Sequence, residues 1–190
     1  MKAVRRNRLR IIGGQWRRRL LSFPDAEGLR PTADAVRERL FNWLGQDLTG
    51  WHCLDLFAGS GALGFEAASR GAASVVMIER NRLVCAALTV NKSVLKANNI
   101  FIECADGVEL LTRAQSVLSD ARFDLILLDP PFAMGVSAEL LTKLAVLLKP
   151  AAYAYVEHDG SLQLPAGWLV WREGNAGHAH FCLLRRDINA

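Results

Sequence analysis

Two motifs in this sequence combine acidic residues with glycines or prolines in ways that suit ligand binding and amine chemistry. The first is LDLFAGSGALG at residues 54–64, and the second is DPPF at residues 129–132. Glycines let the backbone approach a ligand closely, and the first amides of a following helix add positive potential. The chemistry of the chain is therefore expected at these two places.

The glycine-rich motif alone fits a dinucleotide site, with Glu79 at a suitable distance for ribose hydroxyls, so an NAD-dependent dehydrogenase is one reading. Asp55 favours a different ligand, because its carboxylate would repel a pyrophosphate but could meet an ammonium group directly or through water. S-adenosylmethionine carries such a group. Asp55 could instead cap the loop, and Glu79 or Asp106 could instead cap a helix. The expected donor-binding residues are Asp55, Phe57, Gly59, Ser60, Gly61, Glu79 for the ribose and Asp106 for the adenine amino group.

The DPPF motif resembles the signature of methyltransferases that act on amino groups of nucleic-acid bases. An exocyclic amine on a purine is a poor nucleophile, because its lone pair is delocalised into the ring. Asp129 and the Pro130 carbonyl could accept both of its N–H groups, while Pro131 stiffens the loop and Phe132 offers a stacking face, unless Phe132 is a core residue. Positioning the amine in line with an activated methyl group could supply up to roughly 7–11 kcal/mol. We expect all four residues to be catalytic.

The composition is that of one globular domain. The chain has 190 residues, 51% of them hydrophobic, and contains neither a run of about 18 apolar residues nor a signal-type segment. The four cysteines form no CxxC pair and lie in apolar surroundings, so we expect buried free thiols, with no disulfide and no metal site. A cytoplasmic protein is expected.

Positive charge is concentrated at the N-terminus. Residues 1–30 hold nine basic and two acidic side chains, a net charge of +7, whereas the remaining 160 residues have a net charge of −3. Residues 9–23 predict a β-hairpin around Gly13 and Gly14, with apolar residues that dock it and arginines that face solvent. We expect a basic arm at residues 1–30 that binds RNA, and a catalytic domain at residues 31–190. The expected RNA contacts are Arg10, Arg17, Arg18, Arg19 and Arg30.

The elements that must position these motifs alternate along the chain. A helix is expected between an N-cap at Thr32 and a stop at Gly45. Beyond it the pattern predicts an α/β fold, a doubly wound and mostly parallel seven-stranded sheet closed by an antiparallel C-terminal hairpin. The predicted strands are near 52–57, 73–79, 100–104, 123–129, 151–157, 168–172 and 178–184, with helices near 61–70, 81–97, 107–118 and 136–148.

Further segments make the resemblance specific. RIIGGQWR at 10–17, GLRPT at 28–32, VRE at 36–38 and LFNWL at 40–44, together with the two motifs above, resemble the RsmD-type family of bacterial ribosomal RNA guanine-N2 methyltransferases. The resemblance spans nearly the whole chain. It implies the doubly wound methyltransferase fold with an N-terminal extension, and a guanine of 16S rRNA as target, within the small subunit or its assembly intermediate.

The resulting hypothesis is transfer of a methyl group from S-adenosylmethionine to N2 of that guanine by a monomeric enzyme. The same proline motif serves adenine N6 and cytosine N4 of DNA, so the target base depends on the family resemblance alone. Two other readings are an NAD-dependent dehydrogenase, which has no visible hydride-transfer site, and a non-catalytic RNA-binding assembly factor, which leaves DPPF unexplained. The strand end at residues 155–157 also resembles the family, and a structural role is expected there.

Overall fold

A seven-stranded sheet and a separate two-stranded hairpin form the frame of this protein in the computed structural model, which describes residues 6–26, 29, 31–113, 122–131, 134–177 and 179–186. Five helices pack on the sheet within these ranges. The strands are β1 (Arg6–Arg10), β2 (Leu20–Pro24), β3 (His52–Asp55), β4 (Ser74–Glu79), β5 (Ile100–Cys104), β6 (Phe123–Leu128), β7 (Leu148–His158), β8 (Trp168–Ala176) and β9 (Ala179–Arg186). The helices are α1 (Asp34–Trp43), α2 (Ala62–Ser69), α3 (Arg82–Leu95), α4 (Gly107–Arg113) and α5 (Ala138–Ala145).

The strand order of the large sheet is β5-β4-β3-β6-β7-β9-β8. The first five strands of that order are parallel, and the closing hairpin of β8 and β9 runs antiparallel on the β7 side. The chain proceeds outward from β3 in one direction and then returns to place β6 on its other side. The ends of β3 and β6 therefore flank the topological switch point, where open α/β sheets bind their ligands. The predicted doubly wound sheet and closing hairpin are confirmed.

The hairpin of β1 and β2 confirms the predicted strand, turn and strand, although its loop is wider than a two-residue turn. Arg6 pairs with Pro24 and Arg10 with Leu20. Side chains on one face of this hairpin, including those of Leu9 and Leu21, are buried in the same apolar cluster as α1, α2 and α3. The hairpin thus shares the core of the protein on one face of the sheet, whereas α4 and α5 cover the other face.

The start of α1 differs from the prediction. Its N-cap is Ala33, which has no side-chain cap, and Thr32 instead donates its hydroxyl hydrogen bond to Asp129. The prediction of Thr32 as N-cap is therefore wrong, because its hydroxyl finds a carboxylate on another element. The predicted stop is confirmed by Gly45, which follows the end of α1 at a φ of +88°.

The ends of other elements shift by a few residues. β7 begins at Leu148, inside the stretch predicted as helix, because α5 already ends at Ala145. The predicted helix over 107–118 is seen to Arg113, and its remainder lies outside the described residues. No helix in the described ranges is both long and apolar enough to cross a membrane.

The four cysteines are free, as expected, but their burial is not uniform. Cys53, Cys85 and Cys182 are buried, whereas Cys104 at the end of β5 is exposed. The expectation of burial is wrong for Cys104, since its position at the end of an outer strand leaves the thiol open to solvent.

Candidate active site

Asp55 ends β3 at the switch point and is almost fully buried, with 1% of its surface exposed. Its Oδ2 accepts a hydrogen bond from the backbone N–H of Gly64 at 3.0 Å, but its Oδ1 is buried without a hydrogen-bond partner. Burial, followed by the charge of the nearby Asp129 carboxylate, raises the pKa of Asp55 to about 8, against the lowering effect of the Gly64 N–H. A buried carboxylate with a free oxygen is suited to a cationic ligand group.

The glycine-rich loop follows Asp55 and is held by Glu79 from the end of β4. The backbone N–H of Gly59 donates to Glu79 Oε2 at 2.9 Å, and that of Asn81 donates to Glu79 Oε1 at 2.7 Å. Gly61 has a φ of +81°, and a Cβ there would lie 2.6 Å from the Phe65 ring. The loop can therefore take this tight path only with glycine at position 61.

The remaining expected donor residues lie around this loop. Ser60 is buried, and Phe57 is half-buried against the apolar cluster on the α4 and α5 face. Asp106 caps α4, since its Oδ1 accepts from the backbone N–H groups of Val108 and Glu109 at 2.9 and 3.1 Å. Its Oδ2 remains 3.9 Å from an exposed arginine, so a contact with adenine stays a prediction.

Glu79 is not the cap of the next helix. That role belongs to Asn81, whose side chain accepts from the first backbone N–H groups of α3. Glu79 instead ties the glycine-rich loop to β4, and its half-buried carboxylate keeps lone pairs for further donors. The capping alternative considered for Glu79 is therefore excluded, whereas ribose binding stays a prediction.

These residues fit the methyl donor expected from the sequence. The unpartnered Oδ1 of Asp55 can accept from the ammonium group, which would also supply the missing positive charge. Glu79, one strand further along the same edge, can accept from ribose hydroxyls. The ammonium and hydroxyl groups of such a ligand would supply hydrogen-bond donors to these two carboxyl groups.

Asp129 lies across the switch point, directly after β6, and belongs to a network of four side chains. Its Oδ2 accepts from the hydroxyl of Thr32 at 2.9 Å. The register of β6 and β7 places Glu157 beside it, and Glu157 Oε1 accepts from the Tyr155 hydroxyl at 2.7 Å. Burial raises the pKa of Asp129 above its usual value. Burial, followed by the charge of Asp129, raises the pKa of Glu157 to about 7.

The rest of the DPPF motif is only partly described. Pro130 is buried and Pro131 is exposed at the start of the loop that leaves β6, while Phe132 lies outside the described residues. The backbone carbonyl of Pro131 accepts from the N–H of Met134 at 2.8 Å. The proposed stacking role of Phe132 stays a prediction.

Sequence reasoning missed the contacts made by Thr32, Tyr155 and Glu157. One available signal was that Glu157 follows a strand predicted to lie in the same parallel sheet as β6. In the structure Leu127 pairs with Tyr155 and Leu128 with Val156, so the next residues in this register are Asp129 and Glu157. Thr32 carried no comparable signal, because it lies 97 residues from Asp129 and outside the sheet.

The hairpin loop is anchored by Glu66 in α2, which is completely buried. Its two carboxylate oxygens accept from the backbone N–H groups of Ile12 and Gly13 at 2.9 and 2.7 Å. Arg37 and Arg70 form salt bridges with the same carboxylate at 3.3 and 2.8 Å. A Cβ at position 13 would lie 2.4 Å from the Arg70 guanidinium, so a larger residue there would displace that group from Glu66.

The arginines expected to contact RNA lie on or beside this anchored hairpin. Arg10, Arg17, Arg18 and Arg19 are exposed, and within the described part of the chain none of them forms a salt bridge. Arg30 lies outside the described residues. The structure thus leaves four guanidinium groups on a fixed backbone available to a partner, although it does not test that the partner is RNA.

Fold and site together place the chain in the class of S-adenosylmethionine-dependent methyltransferases with a doubly wound sheet. The sequence model of the family described as Conserved hypothetical protein 95 matches residues 9–185, and the chain belongs to that family. The RsmD-type resemblance and the methyltransferase class predicted from the sequence are confirmed.

Individual relatives agree with this assignment. The chain is 41% identical to ribosomal RNA small subunit methyltransferase D of Escherichia coli K12 over 184 residues, 94% of this chain and 90% of the relative. It is 39% identical to the protein of the same name from Haemophilus influenzae, over 89% of each chain. The solved structure of yhhF from Escherichia coli has a TM-score of 0.84 and 40% identity, and the match covers 95% of this chain and 99% of that one.

Proposed function

We propose that this protein transfers a methyl group from S-adenosylmethionine to the exocyclic N2 of a guanine in 16S rRNA. The observation that carries the proposal is the arrangement at the switch point. Asp55, a buried carboxylate with one unpartnered oxygen, ends β3, and the Asp129-Pro130 pair follows the neighbouring strand β6. One side can hold a cationic donor and the other an amine. The proteins named ribosomal RNA small subunit methyltransferase D support the choice of substrate.

On the donor side, Asp55 holds the ammonium group, Glu79 the ribose hydroxyls and Asp106 the adenine amino group. Phe57, Gly59, Ser60 and Gly61 shape the backbone around the ligand. When bound, S-adenosylmethionine supplies an electrophilic methyl carbon on a sulfonium sulfur, and the carbon–nitrogen bond forms as the carbon–sulfur bond breaks with its electron pair on sulfur.

On the base side, Asp129 and the carbonyl of Pro130 accept the two N–H groups of the amine and aim its lone pair at the methyl carbon. Pro131 limits the conformations of the loop, and Phe132 stacks on the base. The methylated nitrogen is cationic and loses one proton, which Asp129 or a water molecule accepts. Because the methyl group is already activated, orientation contributes much of the rate.

The RNA is held by the basic arm, residues 1–30, attached to a methyltransferase domain of residues 31–190. Arg10, Arg17, Arg18, Arg19 and Arg30 contact phosphates, and these contacts position the target without reading its sequence. We further propose that the substrate is the small ribosomal subunit or its assembly intermediate, and that the enzyme acts in the cytoplasm as a monomer.

The test is incubation of the purified protein with isotope-labelled S-adenosylmethionine and small subunits from cells that lack the modification, followed by mass spectrometry of the nucleosides. The proposal predicts labelled N2-methylguanosine in 16S rRNA. A duplex DNA substrate is included, because adenine N6 and cytosine N4 present the same amine chemistry. Label in N6-methyladenine or N4-methylcytosine of DNA, with none in RNA, would overturn the proposal.

A further inference from the structure

Asp129 directly follows β6, and the register of the adjacent parallel strand β7 places the carboxyl group of Glu157 beside it. Each member of the pair also accepts from a hydroxyl group. Thr32 donates to Asp129 Oδ2 at 2.9 Å, and Tyr155 donates to Glu157 Oε1 at 2.7 Å. Each carboxyl group therefore has one hydroxyl partner of its own, and the two carboxyl groups lie side by side.

A contact between two carboxyl groups requires a proton or a cation. Within the described ranges, no lysine or arginine forms a salt bridge with Asp129 or Glu157. Two carboxylates in contact and partly shielded from water repel each other strongly, so the pair retains one proton up to a pH near 7. That proton is the donor of the hydrogen bond between them.

We propose that Glu157 is a positioning residue for methyl transfer, whose protonated carboxyl group donates a hydrogen bond to Asp129 and holds the Asp129 carboxylate ionised and oriented toward the target amine. The inference rests on the proposed function of Asp129. With Thr32 on one side and Glu157 on the other, Asp129 has little freedom to rotate, and a lone pair remains for the incoming N–H group.

The groups that face this pair are mostly acidic or neutral. Asp55 on β3 lies close enough for its charge to act on Asp129, and Tyr155 on β7 is buried with its pKa raised well above the usual value. On the neighbouring strand β9, the register places Phe181 opposite Glu157, and Arg39 of α1 lies over that ring and donates to the carbonyl of Asn175. The next residue, His158, stacks on His180.

This arrangement gives the pair a definite pH dependence. Burial and the charge of Asp129 raise the pKa of Glu157 to about 7, so above that pH both groups ionise and repel each other. Asp129 then loses its hydrogen-bond donor and its fixed orientation. Glu157→Gln replaces the proton by an amide N–H group that donates at every pH. The variant should therefore be active and lack the alkaline loss that Glu157 causes.

The first measurement needs no substrate. The protein is labelled with carbon-13 at the carboxyl carbon of glutamate and titrated by NMR, which is blind to His158 and His180. We expect one glutamate signal to titrate near pH 7, to vanish in Glu157→Gln, and to persist in the matched control Glu139→Gln on the surface of α5. Titration of every glutamate near the usual value of about 4.3 would overturn the inference.

The second measurement follows kcat and KM against pH on the substrate that the parent methylates. Glu157→Ala should lower kcat by roughly tenfold to a hundredfold at pH 7, the cost of a misplaced catalytic group, with little change in KM. The kcat of Glu157→Gln should stay within about threefold of the parent value at pH 7, because the amide N–H group still donates to Asp129. At pH 9 its kcat should exceed that of the parent. A kcat profile of Glu157→Gln that parallels the parent across this range would overturn the positioning role.

The two proposals can fail separately. If the parent methylates neither RNA nor DNA, the proposed function fails, while the glutamate titration still decides whether Asp129 and Glu157 share a proton. If the parent methylates RNA and the neutral titration is absent, the function stands and the inference about Glu157 falls.

Discussion

Two buried carboxylates on either side of the glycine-rich loop have opposite environments. Glu66 in α2 is completely buried, and its oxygens accept from two backbone N–H groups and two arginines. Asp55 at the end of β3 is equally inaccessible, but it accepts from one backbone N–H group and keeps one oxygen without a partner. Both carboxylates are removed from water, and only that of Glu66 is compensated.

The difference separates a structural role from a binding role. Removing a carboxylate from water costs several kcal/mol unless hydrogen bonds and opposite charges replace the water, on the order of the penalties known for buried ions. The protein meets that cost at Glu66 and thereby anchors the hairpin. At Asp55, and partly at Asp129 and Glu157, the protein does not compensate the loss of hydration. A cationic donor and an amine can compensate it there.

The largest effect is expected on the uncompensated side, at Asp129. Asp129→Ala removes the acceptor that orients the amine and should lower kcat by about a hundredfold or more, the usual contribution of a positioned acid-base or orienting group. Affinity for S-adenosylmethionine should change little, since Asp55 and Glu79 remain. The measurement is methyl transfer under saturating donor, with Asp47→Ala at an exposed turn as control. Turnover near that of the parent would show that Asp129 does not orient the amine.

On the compensated side, Glu66→Gln tests the structural role. The change leaves Arg70 buried without its carboxylate and removes one of the two carboxylates that pair with Arg37, the other being Asp34. It should lower the free energy of unfolding by about 3 kcal/mol, the scale for breaking a buried ion pair. Urea denaturation measures this loss. Glu139→Gln, which breaks the exposed pair with Lys143, should have a negligible effect. If Glu66→Gln were as stable as Glu139→Gln, the buried Glu66 carboxylate would not have the structural role that distinguishes it from Asp55.

The anchored hairpin leads to a prediction about RNA. Replacement of Arg17, Arg18 and Arg19 by alanine should weaken binding of small subunits and reduce the slope of log affinity against log salt by up to about three, one for each lost phosphate contact. Donor affinity should not change. The control removes three positive charges elsewhere, at Arg82, Lys96 and Lys143. If both triple variants had the same salt slope, the hairpin would contribute only net charge.

The buried carboxyl group of Asp55 should make the stability of the protein depend on pH. Its pKa in the folded protein, about 8, lies above the ordinary value of 3.8, so the folded state binds a proton more tightly than the unfolded chain does. The stability that this proton confers is present at low pH and is lost as the pH rises through 8.

Asp55→Asn cannot ionise, so without donor its Tm should exceed that of the parent by about ten degrees or more at pH 8–9 and by less toward pH 4. Thermal unfolding followed by circular dichroism across this range measures the difference. A Tm difference that does not vary with pH would mean that ionisation of Asp55 carries no stability cost.

Much of this fold follows from local pattern. Alternating apolar runs and helical spacings predict the sheet and its closing hairpin, and apolar residues around Gly13 and Gly14 predict β1 and β2. The acidic residues that end strands can be placed at one edge of a parallel sheet without a structure, because all strands of such a sheet point the same way. Asp55, Glu79 and Asp129 were found by that reasoning.

Contacts between distant segments could not be predicted in this way. Thr32 has the residue type and position of an N-cap, and only the folded chain shows that its hydroxyl binds Asp129 instead. Glu66 stands alone in the apolar helix ALGFEAAS, an anomaly that signals a buried partner without naming it. Its partners Ile12, Gly13 and Arg37 come from a hairpin and a helix whose packing on α2 no local pattern specifies.

The central claim is that Asp55 binds the donor and Asp129 does not, and calorimetric titration of S-adenosylmethionine tests it most directly. The parent and Asp129→Ala should bind with similar Kd, while Asp55→Asn should bind at least about tenfold more weakly, the loss expected when a charged hydrogen bond of 1.5–3 kcal/mol is removed. NAD, titrated in parallel, should give no saturable heat. Binding of NAD without binding of S-adenosylmethionine, or full donor affinity in Asp55→Asn, would contradict the account.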